Sequence, residues 1–289
     1  MNRFCCFLLV CFLCHIGQAF AQGPLDGYLK GRKALDIAPS FSVLSANKLD
    51  GAGGNTYSTP YRGNMLSLFA EYGVTHNFDL VATGAFVFTE ARSGLQDGGL
   101  YVKYRPLYVE TGKTGKLGVL FGTGASFPLA NYEPTAAGAI GQKAVTVPGR
   151  LIVQYETPFG LFFNLTGGYN WRLDQLKAQD IAIVRQNRPD YQPTDPANFS
   201  TFLFKIGFPA KHYYLDAWVE KQNTQGGADY VPEVPDLPQA YGVSYTQFGG
   251  TVFYSESGRN GFFLSGAYIA QGRNVSRVVR VTGGLVVKF

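Results

Sequence analysis

The strongest constraint on the fold is a succession of segments, each about ten residues long, in which apolar and polar side chains alternate. Around Lys205, for example, the apolar residues Phe202, Phe204 and Phe208 alternate with the polar residues Thr201 and Lys205. Successive side chains of a β-strand point to opposite faces, so each segment has one apolar and one polar face. The 36 Gly, 18 Tyr and 23 Phe, with only 16% charged residues, favour a single β domain. We place twelve predicted strands at residues 34–46, 63–74, 78–90, 98–109, 116–129, 147–157, 160–171, 200–209, 211–221, 241–254, 260–270 and 274–289.

The lengths of the connections separate a barrel from a soluble sandwich, which would show the same alternation. Short turns are predicted at 75–77, 111–113, 158–159, 209–210 and 257–259. The alternate connections, 47–62, 130–146, 172–199 and 222–240, are longer, although 91–97 and 271–273 are brief. Short turns on one rim and long loops on the other are typical of an outer-membrane barrel. An even number of strands then places both chain ends on the short-turn, periplasmic rim.

The first residues predict export. Arg3 is the only charged residue before Asp26, and an apolar stretch then leads to the small-x-small sequence Ala19-Phe20-Ala21. This pattern predicts a secretory signal peptide over residues 1–21, cut before Gln22, and a mature domain over residues 22–289. All four cysteines, Cys5, Cys6, Cys11 and Cys14, fall inside the signal. Its removal lowers the formal charge from +5 to +4, which is too mild and too scattered for nucleic-acid binding.

The last predicted strand carries Val281, Leu285, Val287 and Phe289 on one face and ends on the aromatic residue. A terminal aromatic on an amphipathic last strand resembles the signal that the barrel-assembly machinery recognises. We therefore expect an all-β fold: a single antiparallel transmembrane up-and-down β-barrel of about 12 strands, behind a cleavable signal peptide. The predicted location is the outer membrane of a Gram-negative bacterium, with outer-membrane lipids as partners.

In such a barrel the apolar faces meet lipid, because a charge there costs about 2–4 kcal/mol near the midplane. The charged residues on the opposite faces are therefore predicted to line the lumen. These candidates are Glu71, Lys103, Arg105, Arg150, Glu156, Arg172, Lys205, Asp216, Glu220 and Arg280. Tyr72, Tyr155, Tyr169, Trp171 and Tyr241 are candidates for the interfacial aromatic girdles or for ordinary cross-strand packing. In the strand at 241–254 both faces carry apolar residues, which suggests a bulge near Gly249-Gly250.

The sequence gives little sign of catalysis. The mature chain holds two histidines, His76 and His212, and neither has another ligand at metal-binding spacing. No G-x-S-x-G elbow, P-loop or dinucleotide fingerprint is present. We predict no enzymatic activity, no cofactor and no metal. An outer-membrane phospholipase would need His212 as its histidine, and no serine partner for it is evident from the sequence.

Two short patterns resemble a known family. The segment Gly94–Tyr104, GLQDGGLYVKY, has Gly and Asp opening a strand that carries Lys-Tyr, and Glu71–Thr75 with Phe78–Leu80 forms a strand, turn and strand unit. Both are similar to outer-membrane barrel transporters named for the meta-cleavage pathway of phenol degradation. Phe127-Pro128-Leu129 departs from the Pro-Thr-Gly that is common there. The resemblance implies transport of small, including aromatic or hydrophobic, molecules across the outer membrane.

The expected function is a channel for passive or facilitated diffusion of small molecules through the lumen. A barrel of about twelve strands has an interior between one filled by side chains and an aqueous porin. The alternative is a plugged barrel that acts as a structural or surface-recognition protein through the loops 172–199 and 222–240. The expected partners are a small-molecule solute, lipids and the assembly machinery, and no nucleic acid.

Overall fold

The computed structural model describes residues 25–90, 92–112, 114–132, 143–173, 178–187, 189–190, 192, 194–230, 240–256 and 260–289. The predicted signal peptide and the predicted turn at 257–259 lie outside these ranges. The strands are β1 (Leu35–Asp50), β2 (Thr56–Gly73), β3 (Phe78–Thr89), β4 (Ser93–Leu95), β5 (Asp97–Glu110), β6 (Lys116–Pro128), β7 (Thr146–Glu156), β8 (Phe162–Arg172), β9 (Phe199–Pro209), β10 (Tyr213–Thr224), β11 (Ser244–Tyr254), β12 (Gly261–Arg273), β13 (Val275–Ser276) and β14 (Val279–Lys288). An α-helix, α1 (Ala178–Asn187), follows β8, and a short 3₁₀ turn spans Ala52–Gly54 between β1 and β2. Within the described ranges no helix is long and apolar enough to cross a bilayer.

The sheet closes on itself. Each long strand pairs antiparallel with its neighbours in the chain, and β14 pairs with β1 as well as with β12. Val43 lies opposite Val281, and the N–H and C=O of Phe289 bond the C=O and N–H of Leu35 at 2.8 and 3.2 Å. The two short strands β4 and β13 only extend the pairing of β3 and β1. The predicted closed barrel of twelve antiparallel strands is thus confirmed.

The connections alternate in length as predicted, with one exception. Links 74–77, 111–115, 157–161, 210–212 and 255–260 form the short-turn rim, and 129–145, 173–198 and 225–243 are long. The prediction of a long loop at 47–62 was wrong, because Leu49 pairs with Tyr57 and the two strands continue to a tight turn at residues 51–55. Leu49 and Tyr57 are too few to form a continuous apolar face on this hairpin, so backbone pairing and the positive φ of Gly53 and Gly54 define it instead.

The outer surface of the barrel is apolar all the way round. Every one of the twelve long strands leaves at least one large apolar side chain more than a third exposed. One such residue from each strand is Phe41, Leu66, Leu80, Leu100, Phe121, Leu151, Leu165, Phe204, Leu215, Phe248, Phe262 and Leu285. The residues that alternate with them point inward and include most of the buried polar and charged side chains. Of the girdle candidates, Tyr241 instead packs in a loop against Tyr230, at 5.8 Å between ring centroids.

The register of the strand pairing shifts at three places in the described residues, and the shift in β5 changes a predicted face. In β5 the pairing shifts between Tyr104 and Leu107, so Tyr108 lies on the same side as Arg105 rather than with Tyr104; the guanidinium carbon of Arg105 is 4.3 Å from the Tyr108 ring centroid. Pro106, which cannot donate to the ladder, lies in this bulge.

The sequence also predicted a bulge near Gly249-Gly250, and the structure has none there. These glycines pair regularly with Ala267 and Gly266. The irregularity lies in β12, where Ala270 has no opposite residue between the pairs of Thr246 and Gln247. The glycine is needed for space: a Cβ on Gly249 would lie 2.1 Å from Cζ2 of Trp218. In β11, Tyr245 faces the lumen, whereas Phe248 and Val252 face outward. The apolar residues on the two faces of this strand therefore do not compete for the lipid-facing side.

Candidate functional site

The chain before β1 runs into the barrel, which the sequence patterns did not predict. Leu25 is buried inside, and the ring of Tyr28 lies 5.6 Å from that of Phe162 and 6.3 Å from that of Tyr214. We call residues 25–34 the inner segment. Leu25 packs in a cluster of inward-facing residues from four strands: Val81, Tyr101, Leu120 and Ile152. The inner segment therefore narrows the lumen.

Ion pairs hold the inner segment in place. Lys103 is fully buried, and its Nζ contacts Oδ1 of Asp26 at 2.6 Å, the carbonyl oxygen of Tyr28 at 2.5 Å and the carboxylate of Glu71. Lys30 Nζ lies 3.1 Å from Asp36 and 3.3 Å from Glu71. We call Asp26, Lys30, Asp36, Glu71 and Lys103 the anchor cluster. Burying these charges is tolerable only because each is paired.

The inner segment is charged where it meets the wall. Burial alone would raise the pKa of Asp26, but the ammonium groups of Lys103, Lys30 and Lys205 outweigh it and hold that pKa below its ordinary value. The backbone N–H of Lys30 also donates to Oδ2 of Asp79 at 2.7 Å, and Asp79 is fully buried. Two of the predicted lumen residues, Glu71 and Lys103, thus have their charges matched inside the barrel.

A second ion pair lies beside the inner segment. Lys205 Nζ is 3.5 Å from Oδ2 of Asp216, and both side chains are almost completely buried. The hydroxyl of Tyr214 donates to the same carboxylate oxygen at 2.8 Å. The rings of Tyr214 and Phe162 stack with 5.7 Å between their centroids, so two aromatic rings lie beside this ion pair.

A third group of charged residues lies toward the long loops, and not all of its hydrogen-bond donors have an acceptor among the described residues. The hydroxyl of Tyr245 donates to Oε1 of Glu220 at 2.8 Å, and Nη2 of Arg150 donates to Oδ1 of Asn170 at 2.9 Å. Arg150 lines the same cavity as Glu220, and Arg280 on β14 lies opposite Ala267 on β12. In the part of the chain that the structure describes, neither guanidinium forms an ion pair within 4.0 Å.

The three remaining candidates lie near the ends of the barrel. Arg105 donates to the carbonyl oxygen of His76 at 3.0 Å, on the short-turn rim, and Glu156 ends β7 on that rim. The two residues line one small cavity there. Arg172 is the last residue of β8, and its guanidinium carbon lies 5.3 Å from the Phe199 ring centroid. The structure therefore distributes the predicted lumen residues over the length of the barrel.

Three cavities follow one another along the lumen. The loop-side cavity, about 370 Å³, is lined by Asp50, Arg273 and Arg277 among others. The central cavity, about 300 Å³, includes Arg150, Leu203 and Glu220. The turn-side cavity, about 530 Å³, includes Lys30, Asp216 and Phe263.

Neighbouring cavities share lining residues. Gln222 and Tyr245 line both the loop-side and the central cavity. Asp26 and Lys205 line both the central and the turn-side cavity. The three cavities are therefore neighbours along the lumen.

Most of the remaining predicted residues lie outside the lumen. Leu285 is 55% exposed and Val281 pairs across the seam with Val43, whereas Phe289, which is 71% exposed, lies at the rim of the turn-side cavity. The ring nitrogen Nδ1 of His212 lies 3.2 Å from the main-chain oxygen of Ser255, and the hydroxyl of that serine donates to Asn260 instead. Among the described side chains no group of three His, Cys, Asp or Glu could hold a metal ion.

The fold is shared with known outer-membrane channels. The COG4313 outer membrane channel from Pseudomonas putida F1 matches with a TM-score of 0.66 at 12% identity, over 94% of this chain and 100% of that one. The NanC porin matches with a TM-score of 0.53 at 10% identity, over 88% of this chain and 100% of that one. No family model and no curated protein matches the sequence. At these identities the likeness shows the fold.

Proposed function

We propose that this protein is an outer-membrane channel that lets small molecules diffuse through the lumen. The observation that carries the proposal is the pattern of surfaces: apolar residues outside on all twelve long strands, and charged residues along neighbouring cavities inside. A bilayer accepts only spanning structures whose backbone is satisfied internally, and a closed barrel meets that condition. The similarity in fold to the two channels supports it.

The orientation follows from the same pattern. In outer-membrane barrels the short turns face the periplasm, so the start of β1 and the end of β14 are proposed to lie on the periplasmic side. The predicted signal peptide at 1–21 would direct export, and Val281, Leu285, Val287 and Phe289 would present the signal for the barrel-assembly machinery. Lipids of the outer membrane would cover the apolar surface. Absence of enzymatic activity stays a prediction.

The solute class is the finer part of the proposal. The lining of the turn-side cavity is mixed: Phe253, Phe263 and Val286 lie beside Lys30 and Asp216. Such a lining suits small solutes with an apolar body and a polar group, because the apolar body gains from leaving water and the polar group finds a partner. The resemblance to transporters named for phenol degradation supports small aromatic or hydrophobic solutes.

A plugged barrel with a surface function is the second candidate. Two observations favour it. The inner segment narrows the lumen, and hydrogen bonds and an ion pair connect the loops at the rim opposite the short turns. The side-chain N–H groups of Asn274 donate to the carbonyl oxygens of Ala228 and Gly242, and its oxygen accepts from the N–H of Tyr230, all at 2.9 Å. Asp50 lies 2.9 Å from the guanidinium of Arg277.

Single-channel conductance of refolded protein in a planar bilayer tests the proposal, together with swelling of liposomes by small solutes. We expect discrete conductance steps and solute flux. Trimming the loops within the links 173–198 and 225–243, which leaves the strands intact, should keep or increase the conductance of a channel. Absence of conductance and flux for every small solute, with a trimmed protein that loses a binding partner, would establish the second candidate instead.

A further inference from the structure

Pro39 lies inside the first long strand, where β1 closes the sheet against β14. Leu35 and Phe289 each donate their N–H to the C=O of the other, so every second residue of β1 from Leu35 onward turns its N–H and C=O toward β14. Pro39 is one of these residues, and a proline has no N–H to donate. Prolines in sheets are normally confined to edge strands and bulges, so this position in a closed barrel calls for an explanation.

The pairing of β1 with β14 is interrupted at this proline. It holds at Ile37–Val287 and again at Ser40–Gly284, with the same register on both sides, so the interruption is not a bulge. In this register the residue opposite the proline is Leu285, whose carbonyl oxygen receives no hydrogen bond from β1. We call the stretch between these two pairs the seam gap. Separating the two strands here breaks fewer hydrogen bonds than an uninterrupted stretch of the same length would lose.

An apolar groove covers the seam gap on the membrane side. This outer groove has about 580 Å³, and among the described residues no charged side chain lines it. Phe41, Leu66 and Leu285 stand around it and are about half exposed. Gly84 and Gly283 leave its floor open; a Cβ on Gly283 would meet only a side-chain atom 3.9 Å away.

An apolar cluster covers the same part of the wall on the lumen side. Ala38 and Phe263 are buried there, and Phe69, Phe253 and Val286 pack against them. Phe253, Phe263 and Val286 also line the turn-side cavity. The turn-side cavity therefore has an apolar wall at the seam gap.

Gly284 lies between the two apolar surfaces. It lines the outer groove, and the ring of Phe263 covers it on the lumen side, because a Cβ on Gly284 would lie 2.4 Å from Cζ of that ring. The same Cβ would lie 2.7 Å from the carbonyl oxygen of Pro39. One aromatic ring and the backbone of β14 thus separate the turn-side cavity from the outer groove at this point.

A proline alone does not distinguish this part of the wall. Pro148 interrupts the pairing of β6 with β7 in the same way, between Thr123–Gly149 and Ser126–Thr146. Pro148 lines the central cavity, together with polar residues such as Arg150. The seam gap differs because its lumen side is an apolar cluster and its membrane side an apolar groove.

We propose that the seam gap is a lateral exit through which an uncharged solute with an apolar body passes from the turn-side cavity into the hydrocarbon of the membrane. The apolar cluster and the outer groove offer such a solute surfaces away from water on both sides of the wall. The strands β1 and β14 separate locally and pair again afterwards, because an open edge in lipid leaves backbone groups without partners. The exit rests on the proposed channel function for the arrival of the solute in the lumen.

N-phenyl-1-naphthylamine is the probe, because this uncharged dye fluoresces strongly in hydrocarbon and weakly in water. Bacteria that carry the full chain in their outer membrane are mixed with the dye, and the initial rate of the fluorescence increase is compared with that of bacteria without the protein. We expect a faster increase with the protein. Conductance of the purified protein in a planar bilayer separately measures the passage of ions through the lumen.

A disulfide across the seam gap tests the route. In the register of β1 with β14, Ala38 is opposite Val286 in a pair of the non-hydrogen-bonded kind. Such pairs have Cα atoms about 4.5 Å apart, which a disulfide can bridge. Oxidised Ala38→Cys/Val286→Cys should admit the dye no faster than bacteria without the protein, and reduction should restore the faster entry. The conductance should be the same in both states.

Thr251→Cys/Ser265→Cys is the matched control. The hydroxyl oxygens of these two residues lie 3.2 Å apart across β11 and β12, whose pairing is uninterrupted there. Thr251 also lines the turn-side cavity, so this disulfide lies on the same cavity as the first one. Its oxidation should leave the rate of dye entry unchanged.

Pro39→Val tests the seam gap without cysteines. Valine supplies the N–H that the carbonyl oxygen of Leu285 lacks, so the closed seam gains a hydrogen bond and the protein-dependent dye entry should slow by about fivefold. Pro148→Val adds an N–H at the other interruption and should leave the rate unchanged. Equal rates in Pro39→Val and Pro148→Val, or an oxidised seam disulfide that admits the dye as fast as its reduced form, would overturn the proposal.

Conductance distinguishes the exit from the channel itself. Discrete conductance steps without faster dye entry would refute the exit and leave the channel function standing. Faster dye entry that the seam disulfide abolishes, in a protein without conductance, would support the exit and contradict a lumen that is open to both rims.

Discussion

The anchor cluster makes a quantitative prediction about Lys103. This ammonium group is fully buried between Asp26 and Glu71, and the Glu71 carboxylate is also fully buried. Lys103→Met leaves a buried carboxylate with only Lys30, 3.3 Å away, to compensate it. Breaking a buried ion pair by removing one partner costs about 3–5 kcal/mol, and the remaining contact places the expected loss near the lower value.

A double-mutant cycle measures the coupling. Glu71→Gln should cost less, about 1–3 kcal/mol, because Lys103 keeps Asp26 and the carbonyl oxygen of Tyr28. In the double variant both charges are gone, so the loss should fall short of the sum of the single losses by at least about 1 kcal/mol. Urea unfolding in lipid vesicles, followed by tryptophan fluorescence, gives these free energies.

The matched control is Lys116→Met. Lys116 lies 3.9 Å from Glu110, and both side chains are about half exposed, so its loss should cost at most about 1 kcal/mol. Lys103→Met should also raise the single-channel conductance, because it frees the inner segment at Asp26, while Glu71→Gln should leave the conductance nearly unchanged. The reasoning fails if Lys103→Met is no more destabilising than Lys116→Met, or if the two changes in the anchor cluster are strictly additive.

Three further predictions test the outer surface, the wall and the loop rim. Leu165→Arg, in the middle of an outward face, should destabilise the barrel in bilayers by about 2–4 kcal/mol, and Leu173→Arg, beyond the strand end, by about 1 kcal/mol or less; equal losses in urea unfolding would contradict the membrane placement. Gly249→Ala should cost about 1–3 kcal/mol because its Cβ would overlap the indole packed there, whereas Gly167→Ala meets no atom within 4 Å and should be neutral, which the same assay checks. Asn274→Ala removes three hydrogen bonds from the long link between β10 and β11, so limited proteolysis should cut that link faster than in the wild type; an unchanged rate would show that the tie is not needed.

The strands and the closure were predictable because a barrel repeats one local rule. In β8, Leu165 faces outward and Asn164 inward, and the alternation in the sequence states this directly. The rule fails where a strand has no continuous apolar face or has apolar residues on both faces. The hairpin around Leu49 and Tyr57 has no continuous apolar face, and β11 carries apolar residues on both faces. Periodicity therefore predicts neither the length of the hairpin nor the inward direction of Tyr245.

The inner segment could not be predicted for a different reason. Its ten residues have no period, and their partners lie far away in the chain: Asp26 meets Lys103, and Tyr28 meets Phe162 and Tyr214. Only closure of the sheet brings these residues together. One indication of these contacts is present in the sequence. Asp26 is a charged residue that precedes the first strand, and the inward faces of the strands carry charges of the opposite sign. This indication does not tell which of those charges Asp26 contacts.

Alternation tells which charges face inward, but it does not tell which of them hold the fold and which remain able to bind. The distinction depends on whether the hydrogen-bond donors of a charged side chain already have acceptors within the protein. Lys103 has three acceptors within bonding distance, so a solute would have to displace the inner segment to reach it. By contrast, Nε of Arg280 and Nε1 of Trp218 are buried donors with no acceptor among the described residues, so their burial carries a free-energy cost that the Lys103 ammonium does not have. Arg280→Met tests this cost: urea unfolding at an equal or higher concentration than the wild type would show that the unmatched Nε–H lowers stability, and unfolding at a clearly lower concentration would show that Arg280 stabilises the barrel in another way.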